Sequence, residues 1–432
     1  MKSSINKHQV FHQITQISIT LLLSAIIGLT LLIIVYLLPV ERIKVNLNDC
    51  TQIYLSESDQ YELVPDYRSA ILDNTTDTTM LAEAAFKTGS PLSDSLLCPR
   101  ISIEGLDPIY SLLGYLNGDS ENVNITTYSR YWHGYLIFLK PFLSLFDFAD
   151  LRMFNLLLSL LGAFILLLSM WNNPLLKQYT PAMIAVFLFW NLGCLGLCLQ
   201  YLSCYNIAVW FTILIIHTFP QVNSKSNHVF LLFCIIGVFT SYFDFLTYPI
   251  VTLGIPLSVY ALLYFSPAHF NSATTCKNIL HHILLCACWA VGYIGMWFEK
   301  WVIGSLLSNE NVIKDGLQNV ITRTGSVATV DSPLPSRFEA VLYIVRVSTF
   351  KWTYLILFIT LLCFILVIKK RKQRSSTIAT HNITLFMILL IIGFFPLFWY
   401  FIAANHSYIH IRLVCRALGV TIFAWASALL CI

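Results

Sequence analysis

Long apolar runs recur along this chain and constrain it more than any motif does. The first extends from Ile17 to Leu38, close to the roughly 20 residues that a helix needs to cross a hydrocarbon core. Comparable runs fall at roughly 151–171, 179–197, 200–219, 228–246, 248–265, 279–297, 351–369, 382–402 and 411–431. Lipid supplies no hydrogen-bond partners, so a spanning segment must satisfy its own backbone. The expected fold is therefore an all-α polytopic membrane protein of about ten transmembrane helices. Composition agrees: 57% of the 432 residues are hydrophobic and 11% are charged, against about 25% charged in a soluble domain. A net charge of +4 indicates no nucleic-acid partner.

The positions of Lys and Arg set the orientation. Lys2, Lys7, Lys177, Lys225, Lys277 and the run Lys369-Lys370-Arg371-Lys372-Gln373-Arg374 fall on one side, read as cytoplasmic. The chain then divides into a cytoplasmic N-terminus (1–16), a first span (17–38) and a large outer loop (39–150). A bundle (151–297), a second outer loop (298–350) and C-terminal spans (351–432) follow. The Ile17–Leu38 run has no small-residue cleavage site behind it, so it reads as an uncleaved span. Within the large loop, Asp66 to Lys87 has partial helical periodicity. The segment after Asp107 suggests a short amphipathic surface helix, and Tyr128 to Phe148, kinked at Lys140-Pro141, suggests a second. Cys50 and Cys98 share this loop and can pair if that face is oxidising. No nucleotide-type glycine motif and no metal-type Cys/His spacing occurs.

Ionisable groups near hydrocarbon are expensive and become functional candidates by default. Here they gather on the outer side: Asp73, Asp77, Glu83, Asp107, Arg130 and His133, with Arg152 and Asn155 at the head of the second span. Asp244 lies among aromatics, Lys300 between Trp297 and Trp301, and His406, His410, Arg412 and Arg416 around the last outer turn. Asp73 and Asp77 are four residues apart, so on a helix they share a face and can act together or share a divalent cation. Either carboxylate can serve as general base toward a hydroxyl. Arg130, Lys300, Arg412 and Arg416 suit a phosphate or diphosphate, while Tyr131, Trp132 and Trp301 can stack on sugar faces.

Plainer readings compete. Asp73 can be a helix N-cap. Tyr131, Trp132 and Tyr135 can form an interfacial aromatic belt, with Lys300 as an anchor beside it. Arg152 can simply snorkel, Asp244 can satisfy a neighbouring span, and two histidines four apart are a weak metal signal. The basic run at 369–374 reads as topology alone.

The loop sequence Leu72-Asp73-Asn74-Thr75-Thr76-Asp77, the interfacial segments behind it and the later outer basic residues together resemble the GT-C class of integral-membrane glycosyltransferases. The resemblance implies inverting transfer of a sugar from a polyprenyl-phosphate donor to a cell-surface glycan or lipid acceptor. It implies a bacterial inner or cell membrane with the site facing outward. Asp73 or Asp77 would be the catalytic base. Arg130, His133, Asp244, Lys300, His406, His410, Arg412 and Arg416 would supply substrate and phosphate contacts. The adjacent acidic pair of many members is absent, so metal dependence stays open. Competing functions are an O-antigen-type polymerase or ligase, and a lipid-linked-saccharide transporter or flippase, which would place charges at mid-membrane in paired repeats.

Overall fold

The computed structural model describes residues 7–118, 123–224, 226–265, 275–325, 327–329, 332–333, 336–348 and 379–431. Its first helix, α1 (Lys7–Tyr36), keeps Leu22, Leu23, Ile26, Ile27 and Ile34 exposed along its length. A row of apolar side chains facing outward is stable only where the surroundings are hydrocarbon. Among the described residues, six helical segments are long and apolar enough to cross a membrane. They are Phe11–Tyr36, Phe148–Asn172, Leu199–Phe219, Cys276–Leu307, Ile383–Ile402 and Ile411–Cys431. Two shorter apolar helices, His228–Phe243 and Ile250–Tyr264, pack between them. The chain is thus a helical membrane protein.

The expected span at 179–197 is divided. α9 (Thr180–Trp190) stops at Asn191, whose backbone is left-handed with φ 51°. The Asn191 side chain then accepts from the Cys194 amide at 3.1 Å and starts α10 (Leu192–Leu197). Asn tolerates that backbone and caps helices well, so one residue both ends and begins a helix. The expected span at 351–369 and the basic run at 369–374 lie outside the described residues.

The bundle joins α8 (Phe148–Asn172), α11 (Leu199–Ser224), α12 (Ser226–Phe243), α13 (Ile250–Tyr264), α14 (Thr275–Leu307) and the helices after residue 378. α12 and α14 make the most extensive pairing. A Cβ on Gly237 would collide with the Trp289 carbonyl, and one on Gly292 with the Cys234 carbonyl. The two backbones touch because glycine stands on both sides of the crossing, the usual means of close approach without a hydrophobic drive.

Between α1 and α8, the described residues of the segment 39–147 fold onto one end of the bundle. Six short helices lie here: α2 (Val40–Asn46), α3 (Cys50–Glu57), α4 (Asn74–Ala85), α5 (Pro91–Leu97), α6 (Pro108–Leu116) and α7 (Leu136–Leu143). An antiparallel ribbon of β1 (Arg100–Ile103) and β2 (Val123–Thr126) is a departure from the expected all-α content. The helix expected from Asp66 shrinks to α4, because Glu62 and Ile71 form a β-bridge and the Asp73 carboxylate caps the helix at Thr76. α6 appears where expected, capped by Asp107 on the Tyr110 amide at 3.0 Å. Tyr131 and Trp132 are buried instead of forming an interfacial belt. The Trp132 indole donates to the Met296 carbonyl at 2.7 Å. Cys50 and Cys98 are separate free thiols, both buried.

Candidate functional site

The carboxylates that the sequence singled out are engaged inside the fold. Asp73 accepts from the Thr76 amide at 3.2 Å and the Thr76 hydroxyl at 3.1 Å, an N-cap on α4. Asp77 is fully buried and reaches a different helix. It accepts from the Leu199 amide at 3.0 Å and the Gln200 amide at 3.3 Å, the first two residues of α11. A carboxylate there meets both orphan amides and the positive end of the helix dipole. Burial nonetheless pushes Asp77 up to about 7, against the pull of those amides and Arg152. No described trio of metal-binding groups includes Asp73 or Asp77. Asp244 closes its own turn, accepting from the amides of Leu246 at 3.0 Å and Thr247 at 2.9 Å and from the Thr247 hydroxyl. Burial lifts it to about 6 despite these donors.

Two of the predicted phosphate ligands are likewise committed to the protein. The Lys300 ammonium, fully buried, donates to the carbonyls of Ser95 at 3.1 Å and Leu96 at 2.8 Å. These are end carbonyls of α5, so Lys300 is a helix C-terminal partner rather than an interfacial anchor. Arg416 lies over the Tyr201 ring and donates to the Ser69 carbonyl at 2.7 Å, fastening the 39–147 segment to the last span. Arg152 does not snorkel. Its guanidinium makes a two-pronged contact with Glu57 at 2.6 and 2.9 Å and also donates to Asn74 at 3.1 Å.

His133 belongs to a buried cluster with Glu83. The Tyr135 hydroxyl donates to Glu83 Oε2 and lies 2.8 Å from His133 Nδ1. His133 Nε2 lies 2.7 Å from the Tyr128 carbonyl. Burial opposes the Glu83 charge, but His133, Arg100 and Tyr135 together hold its carboxyl below the usual range.

Of the remaining candidates, Arg130 lines a cavity of about 100 Å³. Arg130, Tyr131, Leu246, Trp297, Trp301, Arg323 and Trp399 line it, with one wall from α15 (Val312–Thr324). Gly316 lets the wall close, because a Cβ there would strike the Trp301 ring. Arg130 pairs with Asp315 at 3.2 Å. Arg323 lies 2.9 Å from His410 Nε2, and the His410 ring lies 4.8 Å from that of His406. Burial and Arg323 push His410 down to about 4, with the charge of Asp73 pulling the other way. His410 is therefore a neutral acceptor toward Arg323. Four buried donors on the cavity residues have no partner among the described residues: Nε of Arg130, Nε of Arg323, Nε1 of Trp297 and Nε1 of Trp399. Nη1 of Arg412 is also unpartnered among the described residues. Buried donors left unpaired are costly, and these nitrogens are sealed behind a cavity wall that is almost wholly apolar.

Of the residues expected to work together, Arg130 lines this cavity and His410 meets it only through Arg323, Asp73 and His406 stand near His410, and His133 belongs to the Glu83 cluster. Arg323 and Trp399 were missed. No family profile, curated protein or solved structure matches the chain.

Proposed function

We propose that this chain is a membrane glycosyltransferase, moving a sugar from a polyprenyl-phosphate donor to a glycan or lipid acceptor. The observation that carries the reading is the apolar-walled cavity built from Arg130, Arg323 and the indoles of Trp297, Trp301 and Trp399, with four unpaired donors buried within those same side chains. It lies where the ends of two apolar spans, at Trp297–Trp301 and Trp399, meet α15 and the segment containing Arg130. A lipid-linked phosphate presents its charge near that level, with the chain in hydrocarbon. The indole faces that form the apolar wall suit a sugar ring, and a turn of the Arg130 or Arg323 side chain would bring its guanidinium to phosphate oxygens. In the reaction, the acceptor oxygen attacks the anomeric carbon and the polyprenyl phosphate leaves with the bonding pair. A carboxylate takes the acceptor proton. Asp73, whose carboxylate is held among the described residues only by Thr76 of its own turn, is freed for that role more easily than Asp77, whose oxygens hold the amides of another helix, α11. A polymerase or a flippase would bind the same headgroup but would not need Asp73.

The test uses the full chain in liposomes with a photoreactive polyprenyl phosphate. Wild type should be labelled within Trp297–Trp301 or α15, and Arg323→Gln should weaken labelling about 10- to 100-fold, as loss of one charged hydrogen bond predicts. Asp73→Asn keeps the N-cap, because Asn caps as well as Asp, but removes the base. It should therefore abolish the surface-glycan modification at normal protein level. Labelling confined to other segments, or full modification by Asp73→Asn, would overturn the site or the base respectively.

A further inference from the structure

We propose that Glu83, Cys98 and His133 form a site for one divalent transition-metal cation of the zinc type, which clamps the segment following α1 into its fold. One donor atom from each lies within 4.8 Å of the other two, and all three side chains are buried. Zinc bonds of about 2.0–2.3 Å set ligand atoms roughly 3.3–3.7 Å apart in a tetrahedron, so small side-chain shifts would close the site. A thiolate, an imidazole and a carboxylate are a donor set that zinc accepts and that magnesium and calcium do not favour.

Three observations fit a cation held among these groups. First, the Tyr128 carbonyl can only accept, so His133 Nε2 carries the proton in the 2.7 Å contact. In the neutral ring that leaves Nδ1 as a lone pair facing Glu83 Oε2 at 3.3 Å; in the charged ring Nδ1–H is the ion-pair partner of Glu83, and a cation here would take that proton's place. Ring N–H donation to a backbone carbonyl is how metal-bound histidines are usually oriented. Second, one tyrosine proton serves two acceptors, since Tyr135 lies against both Nδ1 and the Glu83 carboxylate. Third, Glu83 Oε1 is buried without a hydrogen-bond partner among the described residues. Arg100 approaches it only to 3.8 Å. The Tyr36 hydroxyl donates to Cys98 Sγ at 3.6 Å, so the sulfur is already used as an acceptor.

The backbone supports the arrangement. Cys98 and His133 both hold left-handed φ values, 45° and 55°, strain that persists only where the surroundings demand it. The three ligands come from α4, the end of α5 and the loop before α7, and Tyr36 adds the end of α1. A metal there would join four pieces of chain that share no continuous sheet or helix. Such a site contributes to folding rather than to turnover.

The proposal is tested on the full chain purified in detergent, without chelator, and dialysed against Zn²⁺ or Co²⁺. Elemental analysis should find about one bound metal per chain. The Co²⁺ form should show a near-ultraviolet thiolate-to-cobalt charge-transfer band. Cys98→Ser should lose the band and most of the metal, and Glu83→Gln should lower metal content at least several-fold. Cys50→Ser and Arg323→Gln should keep both, which separates this site from stray thiol binding and from the phosphate-lipid cavity. Well-folded wild-type protein with no stoichiometric metal and no charge-transfer band would overturn the proposal. So would a Cys98→Ser variant with wild-type metal content.

Discussion

Replacing Asp77 with alanine strips two backbone donors at the start of α11 of their acceptor. Each buried amide left unpaired costs about 1–3 kcal/mol. The lost charge at a helix N-terminus adds about 1 kcal/mol. The summed expectation is about 3–7 kcal/mol of destabilisation. Asp77→Asn keeps an acceptor oxygen and should lose only about 1–2 kcal/mol. The assay is thermal unfolding in detergent, read with a thiol-reactive fluorophore, since Cys50, Cys98, Cys194, Cys198 and Cys204 are all buried until the fold opens. The pH dependence carries a second signature. Burial raises Asp77 from 3.8 to about 7, so the folded state holds a proton that the unfolded state releases. Its contribution is full below 3.8 and drains as pH rises through about 7. Asp77→Asn should remove that slope while leaving the fold intact. If Asp77→Ala melts with wild type, or if Asp77→Asn folds normally yet abolishes glycan modification, the capping argument is wrong and Asp77 returns as the base.

Other outcomes follow from the same geometry. Lys300→Met should destabilise by about 2–4 kcal/mol, because the Ser95 and Leu96 carbonyls lose their donor, while photolabelling by polyprenyl phosphate persists in the protein that folds. Glu57→Gln breaks the two-pronged contact with Arg152 and should lower the melting temperature, an effect of about 2–4 kcal/mol for a largely buried pair. Gly316→Ala forces the Trp301 ring out of place and should cost about 1–3 kcal/mol, with photolabelling falling more than stability does.

Much of the fold was legible, and the reason is lipid. A run of about 20 apolar residues has almost no alternative to a spanning helix, so the first span and the spans around 151–171, 279–297 and 382–402 lie close to where the hydropathy put them. Asn191 broke the pattern because hydropathy averages over a single left-handed residue. Within the loop, the N-cap at Asp73 and the helix after Asp107 were readable, since capping partners lie three residues away. The carboxylate of Asp77 was not, because its partners Leu199 and Gln200 are more than a hundred positions along the chain. Lys300 misled for the same reason. A lysine between tryptophans looks like an interfacial anchor until α5 is seen to end against it.

The candidate site divides the same way. Arg130 and His410 stood out as charges on the expected outer side, whereas Arg323 sits in a helix with no motif and Trp399 lies inside an apolar run. Local chemistry, that is periodicity, caps and the cost of charge in hydrocarbon, acts over a few residues and is written into the sequence. Which buried donor finds an acceptor, and which is left without one, depends on segments brought together from distant parts of the chain. That sorting of Asp77, Lys300 and Arg416 into the scaffold, and of Arg130, Arg323, Trp297 and Trp399 around one hollow, was decided only by the tertiary structure.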